Sequence, residues 1–226
     1  MYIVLLGPPG AGKGSQAPLL AQEMGGLHIS TGDMLRAAVK EATPYGLKGA
    51  EYMRRGDLVP DDLVLAMLME RLSEYHDQNV VLDGFPRTLV QAQALDAAMA
   101  RAGKSLECAI NFRVSEDVLL SRLSGRWTCS CCGRIYHEQF NPSTSPGACD
   151  VCDGQLRQRE DDRREAVKRR LQVYVDETAP LLDFYRSDGR LEEINGNEDF
   201  EAVTRALLDV LERRRGAESM TTELKA

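Results

Sequence analysis

Short apolar runs alternate with helical patterns along most of the chain. Residues 2–6 (Tyr-Ile-Val-Leu-Leu) form an uninterrupted apolar run that stops at Gly7, the pattern of a strand buried on both faces. A helical pattern over 16–24 closes at Gly25-Gly26, and 27–30 is a second short strand. Thr31 is placed to N-cap a helix carrying Met34, Leu35 and Ala38, and Asp61 to start another with Leu63, Ala66 and Met67 on one face. Strands are predicted over 79–82, 107–114 and 190–194, and helices over 88–102, 115–124 with Ser115 as cap, and 199–213. The Asp162-x-x-Glu165 spacing predicts a capping box opening a helix over 166–176. The last dozen residues are polar, the pattern of a frayed end.

Strands alternating with helices predict an α/β fold, a parallel sheet with helices on both faces. Two segments interrupt the rhythm. Residues 31–58 are helical with no strand between, and residues 125–162 are rich in cysteine and turns but poor in apolar periodicity. The expectation is one core with two insertions, without internal repeats.

Composition narrows the function. The 226 residues include 28 basic and 35 acidic side chains, for a net charge of −7, which argues against a broad nucleic-acid-binding surface. A local cluster of arginines remains compatible with a small anion. No apolar run approaches the roughly 18 residues of a membrane span, and a glycine-rich loop begins where the apolar part of a signal peptide would still be running. The expectation is a soluble cytoplasmic protein with no membrane partner. In that compartment six cysteines do not suggest a disulfide framework.

Gly7-Pro-Pro-Gly10-Ala11-Gly12-Lys13-Gly14-Ser15 follows the first strand and opens the first helix. The Gly-x4-Gly-Lys spacing in a strand–loop–helix context is the phosphate-loop pattern. Glycines let successive backbone N–H groups turn toward phosphate oxygens, the helix N-terminus adds partial positive charge, and Lys13 reaches the β- and γ-phosphates. Gly14 stands where the general motif has Ser or Thr, and Ser15 follows one residue late.

The loop Gly-Pro-Pro-Gly-Ala-Gly-Lys-Gly-Ser-Gln resembles that of the adenylate kinases. Ile29-Ser-Thr-Gly-Asp-Met-Leu-Arg36 resembles their monophosphate-site motif, and Leu82-Asp-Gly-Phe-Pro-Arg87-Thr their signature sequence. The match stays in register from residue 1 to about 213. It implies the nucleoside monophosphate kinase fold, a five-stranded parallel sheet flanked by helices. The core would be 1–29, 60–124 and 163–226, with an AMP-binding insertion at 30–59 and a lid at 125–162. It implies Mg²⁺-dependent transfer of a phosphoryl group from ATP to AMP, giving two ADP, by a monomer.

Such a transfer needs positioning, charge neutralisation and exclusion of water, and guanidinium groups grip phosphate oxygens two at a time. By the resemblance, Arg36 and Arg87 hold the AMP phosphate, Arg122 and Arg126 face ATP, and Arg159 and Arg170 span both nucleotides. Thr31, the backbone of Asp57, Leu58 and Val59, then Gly84, Phe85, Pro86 and Gln91 complete the AMP site. Ile135, Tyr136 and the backbone of Gly196 line the ATP side with Gly10–Ser15. Asp83, ending an apolar strand near the loop, suits an Mg²⁺ ion held through water; a turn cap is the plainer reading. Asp161 and Asp162 can orient the lid arginines. His28, His76 and His137 read as packed or surface residues.

Cys129-x-x-Cys132 and Cys149-x-x-Cys152, with 16 residues between the pairs, have the zinc-ribbon spacing, four thiolates around one structural ion. Paired disulfides or a redox dithiol are the other readings. Zinc, iron and cobalt all suit the donor set, and Cys131 and His137 are substitute ligands. Cys108 reads as a core side chain. A segment too poor in apolar residues to build its own core gains folding free energy from a metal. The competing functions are a kinase for CMP, UMP or GMP, a GTP-using relative, and a P-loop ATPase or switch carrying a nucleic-acid-binding ribbon.

Overall fold

In a strand covered on both faces every residue is apolar, and the first strand, β1 (Tyr2–Leu6), is buried throughout. The computed structural model describes residues 1–75 and 78–223, with 217–223 as backbone alone; the reading of His76 lies outside these. Four further strands join β1 in one parallel sheet: β2 (Leu27–Ser30), β3 (Val80–Asp83), β4 (Cys108–Arg113) and β8 (Leu191–Asn195), in the order β2-β3-β1-β4-β8.

Alternation along β1 divides the core into two layers. Tyr2, Val4 and Leu6 face one apolar layer, shared with Val80 and Leu82 of β3 and with Leu68, Leu95 and Tyr185 from helices α4 (Asp61–Ser73), α5 (Leu89–Arg101) and α8 (Pro180–Ser187). Ile3 and Leu5 face the other, with Ala17 and Leu20 of α1 (Lys13–Glu23), Leu119 of α6 (Glu116–Ser124) and Leu207 and Leu211 of α9 (Phe200–Glu223). Cys108 belongs to this second layer, fully buried as the sequence implies, and burial pushes its thiol up to about 12. No helix among the described residues is long and apolar enough to cross a membrane.

The two interruptions take distinct forms. Between β2 and α4 the chain makes α2 (Thr31–Lys40) and α3 (Pro44–Arg55). Between α6 and α7 (Arg164–Val173) it makes a separate antiparallel sheet of three short strands, β5 (Arg126–Cys129), β6 (Ile135–His137) and β7 (Leu156–Arg157), in the order β6-β5-β7. Strands of two to four residues lie below the length at which alternation is readable, so the sequence pattern did not reveal them. It also left α8 unassigned, and it ended the preceding helix at 176, inside the π-turn Tyr174–Thr178.

Several caps differ from expectation. Ser30, not Thr31, caps α2: its extended backbone lets Oγ accept from Asp33 N at 3.2 Å. Thr31 is instead the first helical residue, turned inward to donate to Gly84 O at 2.8 Å. The capping box at Asp162 does not form, because Asp162 ends a 3₁₀ turn (Glu160–Asp162) with its carboxylate engaged by arginines, and Arg163 stands at the cap of α7. Ser115 occupies its cap position, but its hydroxyl bonds Asn197 rather than the helix. Helix α9 runs on to Glu223, past the predicted end at 213.

Candidate active site and metal centre

The loop between β1 and α1 is bent by glycines where side chains cannot follow. Gly10 has φ 86°, and a Cβ there would meet Leu123 Cγ at 2.9 Å; Gly12, at φ 97°, is the N-cap of α1 and supplies no side-chain cap. The first turn of α1 thus presents its amides without a competing oxygen. Ala11 is buried beneath, while Gly14 is partly open and Ser15 exposed. Lys13 Nζ folds back onto Gly7 O at 2.6 Å and Pro8 O at 2.9 Å. Burial lowers it to about 8, against the pull of Asp83 and with the push of Arg87 and Arg170.

Asp83 ends β3 beside this loop, and a Cβ on Gly14 would lie 3.4 Å from its Oδ2. Burial alone would raise its carboxyl, but His28, Lys13 and Arg87 together hold it below the usual carboxylate range. His28 Nε2 stands 3.8 Å away, buried and with no partner at hydrogen-bond distance among the described residues. A low-lying carboxylate next to the phosphate loop fits the oxygen chemistry of Mg²⁺. Nothing in the sequence signals that His28 backs this carboxylate, since β2 and β3 become neighbours only in the sheet, with His28 paired to Val81.

Arginines from distant segments converge here. Arg122 of α6 donates to Gly196 O at 2.8 Å and lies 4.0 Å from a Cβ built on Gly12, and Ile135 Cδ1 lies 3.6 Å from one on Gly14. Arg126 is gripped at both ends by Asp162, whose side chain is 1% exposed. Arg170 shares that carboxylate at 3.0 Å and pairs with Asp161 at 3.1 Å, so both acids orient these arginines as the sequence suggested. Arg159 donates to Thr128 Oγ1 at 2.9 Å. Burial lowers Arg87 and Arg159 to about 10, helped by Arg170 for the first and by Arg36 and Arg126 for the second. Cations crowded this closely repel one another, and an anion bound among them relieves the strain.

A cleft opens beside the cluster. Its walls bring together Thr31, Arg36, Gly84, Arg87, Gln91 and Arg170, with the segment Asp57, Leu58 and Val59. Arg36 is paired with Asp33, and Asp57 accepts from Arg169 of α7 at 2.6 Å. Phe85 and Pro86, joined by a cis peptide, are buried beneath, with Phe85 in the core. The sequence reading missed Asp33, Asp61 and Thr88, which brace this wall through side-chain hydrogen bonds.

The four cysteines singled out by spacing meet in space. Their Sγ atoms all lie within 4.8 Å of one another, with Cys129–Cys152 at 3.5 Å and Cys132–Cys149 at 3.6 Å. That is too long for disulfides and close to the roughly 3.8 Å edge of a tetrahedron with Zn–S bonds of about 2.3 Å. The Cys132 and Cys131 amides donate to Cys129 Sγ and hold that thiol below its ordinary value. Tyr136 does the same for Cys149, 3.3 Å from its hydroxyl, lowering it to about 6. Cys132 and Cys152 are shifted upward instead: backbone amides of Arg134 and Gly154 favour their thiolates, but the adjacent sulfurs oppose this, so loss of all four protons would need a cation among them. Tyr136 thus packs its side chain into the four-cysteine cluster rather than toward the phosphate loop. Cys131 is exposed and outside the four-sulfur group, and His137 faces Ser121 O.

A five-stranded parallel sheet, a glycine loop with an invaginated lysine, and arginines between that loop and a second cleft define a phosphate-loop protein of the nucleoside monophosphate kinase fold. The family model for adenylate kinase matches residues 5–190. An adenylate kinase of Geobacillus sp. is 49% identical over 93% of this chain and 98% of its own length. Those of Carboxydothermus hydrogenoformans and Bacillus subtilis are 48% and 47% identical, over 94% and 93% of this chain and 100% and 98% of theirs. The chain belongs to the adenylate kinase family and is an enzyme of that class.

Proposed function

We propose that the chain reversibly transfers the terminal phosphoryl group of ATP to AMP, giving two ADP, and acts as a cytoplasmic monomer that binds no nucleic acid. The observation that carries this is the arginine cluster standing between the phosphate loop and a separate cleft beside Gln91. A protein that only hydrolysed ATP would need one.

In this reading Gly10–Ser15 and Lys13 cradle the ATP phosphates, with Lys13 leaving its own loop carbonyls for them. Arg122, Arg126, Ile135, Tyr136 through its backbone, and Gly196 flank the ATP side. Arg36 and Arg87 hold the AMP phosphate, while Thr31, Gly84, Gln91 and the 57–59 backbone hold its nucleoside. Arg159 and Arg170 neutralise charge on the group in transit, with Asp161 and Asp162 keeping Arg170 aimed and Thr128 holding Arg159. Asp83 would hold Mg²⁺ through its water shell, and the ion supplies charge neutralisation between the phosphates. Cys129, Cys132, Cys149 and Cys152 would hold Zn²⁺ as a structural ion, leaving no open position for substrate. Residues 125–162 then act as a lid over a core of 1–29, 60–124 and 163–226, with 30–59 as the AMP-binding insertion; closure keeps water from the phosphoryl group.

The test is an acceptor panel with Mg-ATP: AMP, CMP, UMP, GMP and none. ADP formation that depends on AMP is the expected result. Preference for another monophosphate overturns the acceptor, and steady ATP consumption without acceptor overturns the transferase.

A further inference from the structure

A glutamine amide carries a donor at one end and an acceptor at the other, so a lone glutamine can match either of two opposite base edges by turning over. Gln91 cannot turn. Its Oε1 accepts from Arg87 N at 2.7 Å and its Nε2 donates to Asp61 Oδ1 at 2.6 Å. Inversion would set an NH₂ against an N–H and a carbonyl against a carboxylate, at a residue only 2% exposed, where unpaired polar groups are costly. Asp61 is fixed in turn: its Oδ2 accepts from Thr88 Oγ1 at 2.9 Å, and that oxygen accepts from Gln91 N at 3.2 Å. The network ties the first residue of α4 to the first turn of α5. Gln91 lines the cleft and Asp61 does not.

We infer that Asp61 is a positioning residue for base selection. It holds Gln91 so that one N–H and one Oε1 lone pair remain for the ligand. That pair matches a base edge with an amino group beside a bare ring nitrogen, as in a 6-aminopurine or a 4-aminopyrimidine. It mismatches an edge with a carbonyl beside a ring N–H. The inference rests on reading the cleft as the acceptor-monophosphate site.

The experiment compares kcat/KM for AMP and IMP, which share phosphate, ribose and ring size, and for CMP and UMP, in the wild type, D61N and D61A. The D61N side chain keeps the shape but can present its own NH₂, removing one of the two clashes that forbid inversion. The AMP:IMP ratio should fall about tenfold in D61N and D61A, the size of one net hydrogen bond. The loss should appear in the acceptor KM, with the ATP KM unchanged and melting curves confirming folded protein. An unchanged ratio in both folded variants, including an equal loss for both acceptors, overturns the inference. A wild type that prefers CMP over AMP, with a CMP:UMP ratio that collapses in D61N, overturns the AMP reading and sustains the lock. A wild type that prefers IMP, GMP or UMP overturns both.

Discussion

The sheet and the cysteine-bearing segment solve the same problem with different means. Around β1 and β3, side chains such as Ile3, Val4, Val81 and Leu82 are wholly buried between two helical layers, and burial at roughly 25 cal/mol per Å² holds the structure. Apart from Gly125, residues 125–162 bury only Cys129, Tyr136, Cys149 and Leu156, with Trp127 and Cys152 packed beside them. Half of that list consists of cysteines of the four-sulfur cluster. One region is folded by exclusion of water; the other, with four sulfurs within 4.8 Å of one another, would owe its order to a bound metal under the zinc reading.

Removing the metal should break the comparison most sharply. A structural site of this kind contributes on the order of 10 kcal/mol to its own small fold. After chelation, hydrogen exchange should lose protection across 125–162 and the melting temperature should fall, while β1, β3 and β4 stay protected. Unchanged melting after verified metal loss would contradict the assignment. Leu82→Ala should act the opposite way. At a fully buried site it should cost about 2–5 kcal/mol, shifting the whole urea transition with the cysteine cluster intact; a loss confined to 125–162 would deny that the sheet is the independent element.

The smallest effect sharpens the contrast at the phosphate loop, which is already formed and responds to ligand by protonation. Lys13 lies at about 8 because burial disfavours its charge, and ATP phosphates favour that charge. Binding at pH 8 should therefore take up roughly half a proton, and more toward pH 9, so ATP affinity falls as pH rises through this range. Calorimetry in buffers of different ionisation enthalpy measures the uptake; a value of zero at both pH values would place Lys13 well above 8.

The sequence made the larger architecture legible because strands buried on both faces read as unbroken apolar runs and because the glycine loop and cysteine pairs are local in sequence. What it concealed was either too short or too distant. β7 is two residues long, with no period to detect. The choice between Ser30 and Thr31 as cap depended on which hydroxyl could reach Gly84 O across 53 positions. Asp162 had the spacing of a capping residue, and only the approach of Arg126, 36 positions away, gave its carboxylate another partner. Asp61 and Gln91, 30 apart, each had a sufficient local explanation, and nothing local joined them.

The chain enters the small sheet through β5 and leaves it through β7, and these strands are antiparallel neighbours, with Thr128 opposite Arg157 and Cys129 opposite Leu156. The entry and exit points of the whole segment are therefore side by side. A loop closed at its base in this way can lengthen, shorten or exchange its contents without shifting the register of the parallel sheet or the position of α7. In evolutionary terms the four-cysteine segment is a removable graft: a descendant could replace its thiols with ordinary hydrogen-bonding side chains and leave the phosphate loop untouched.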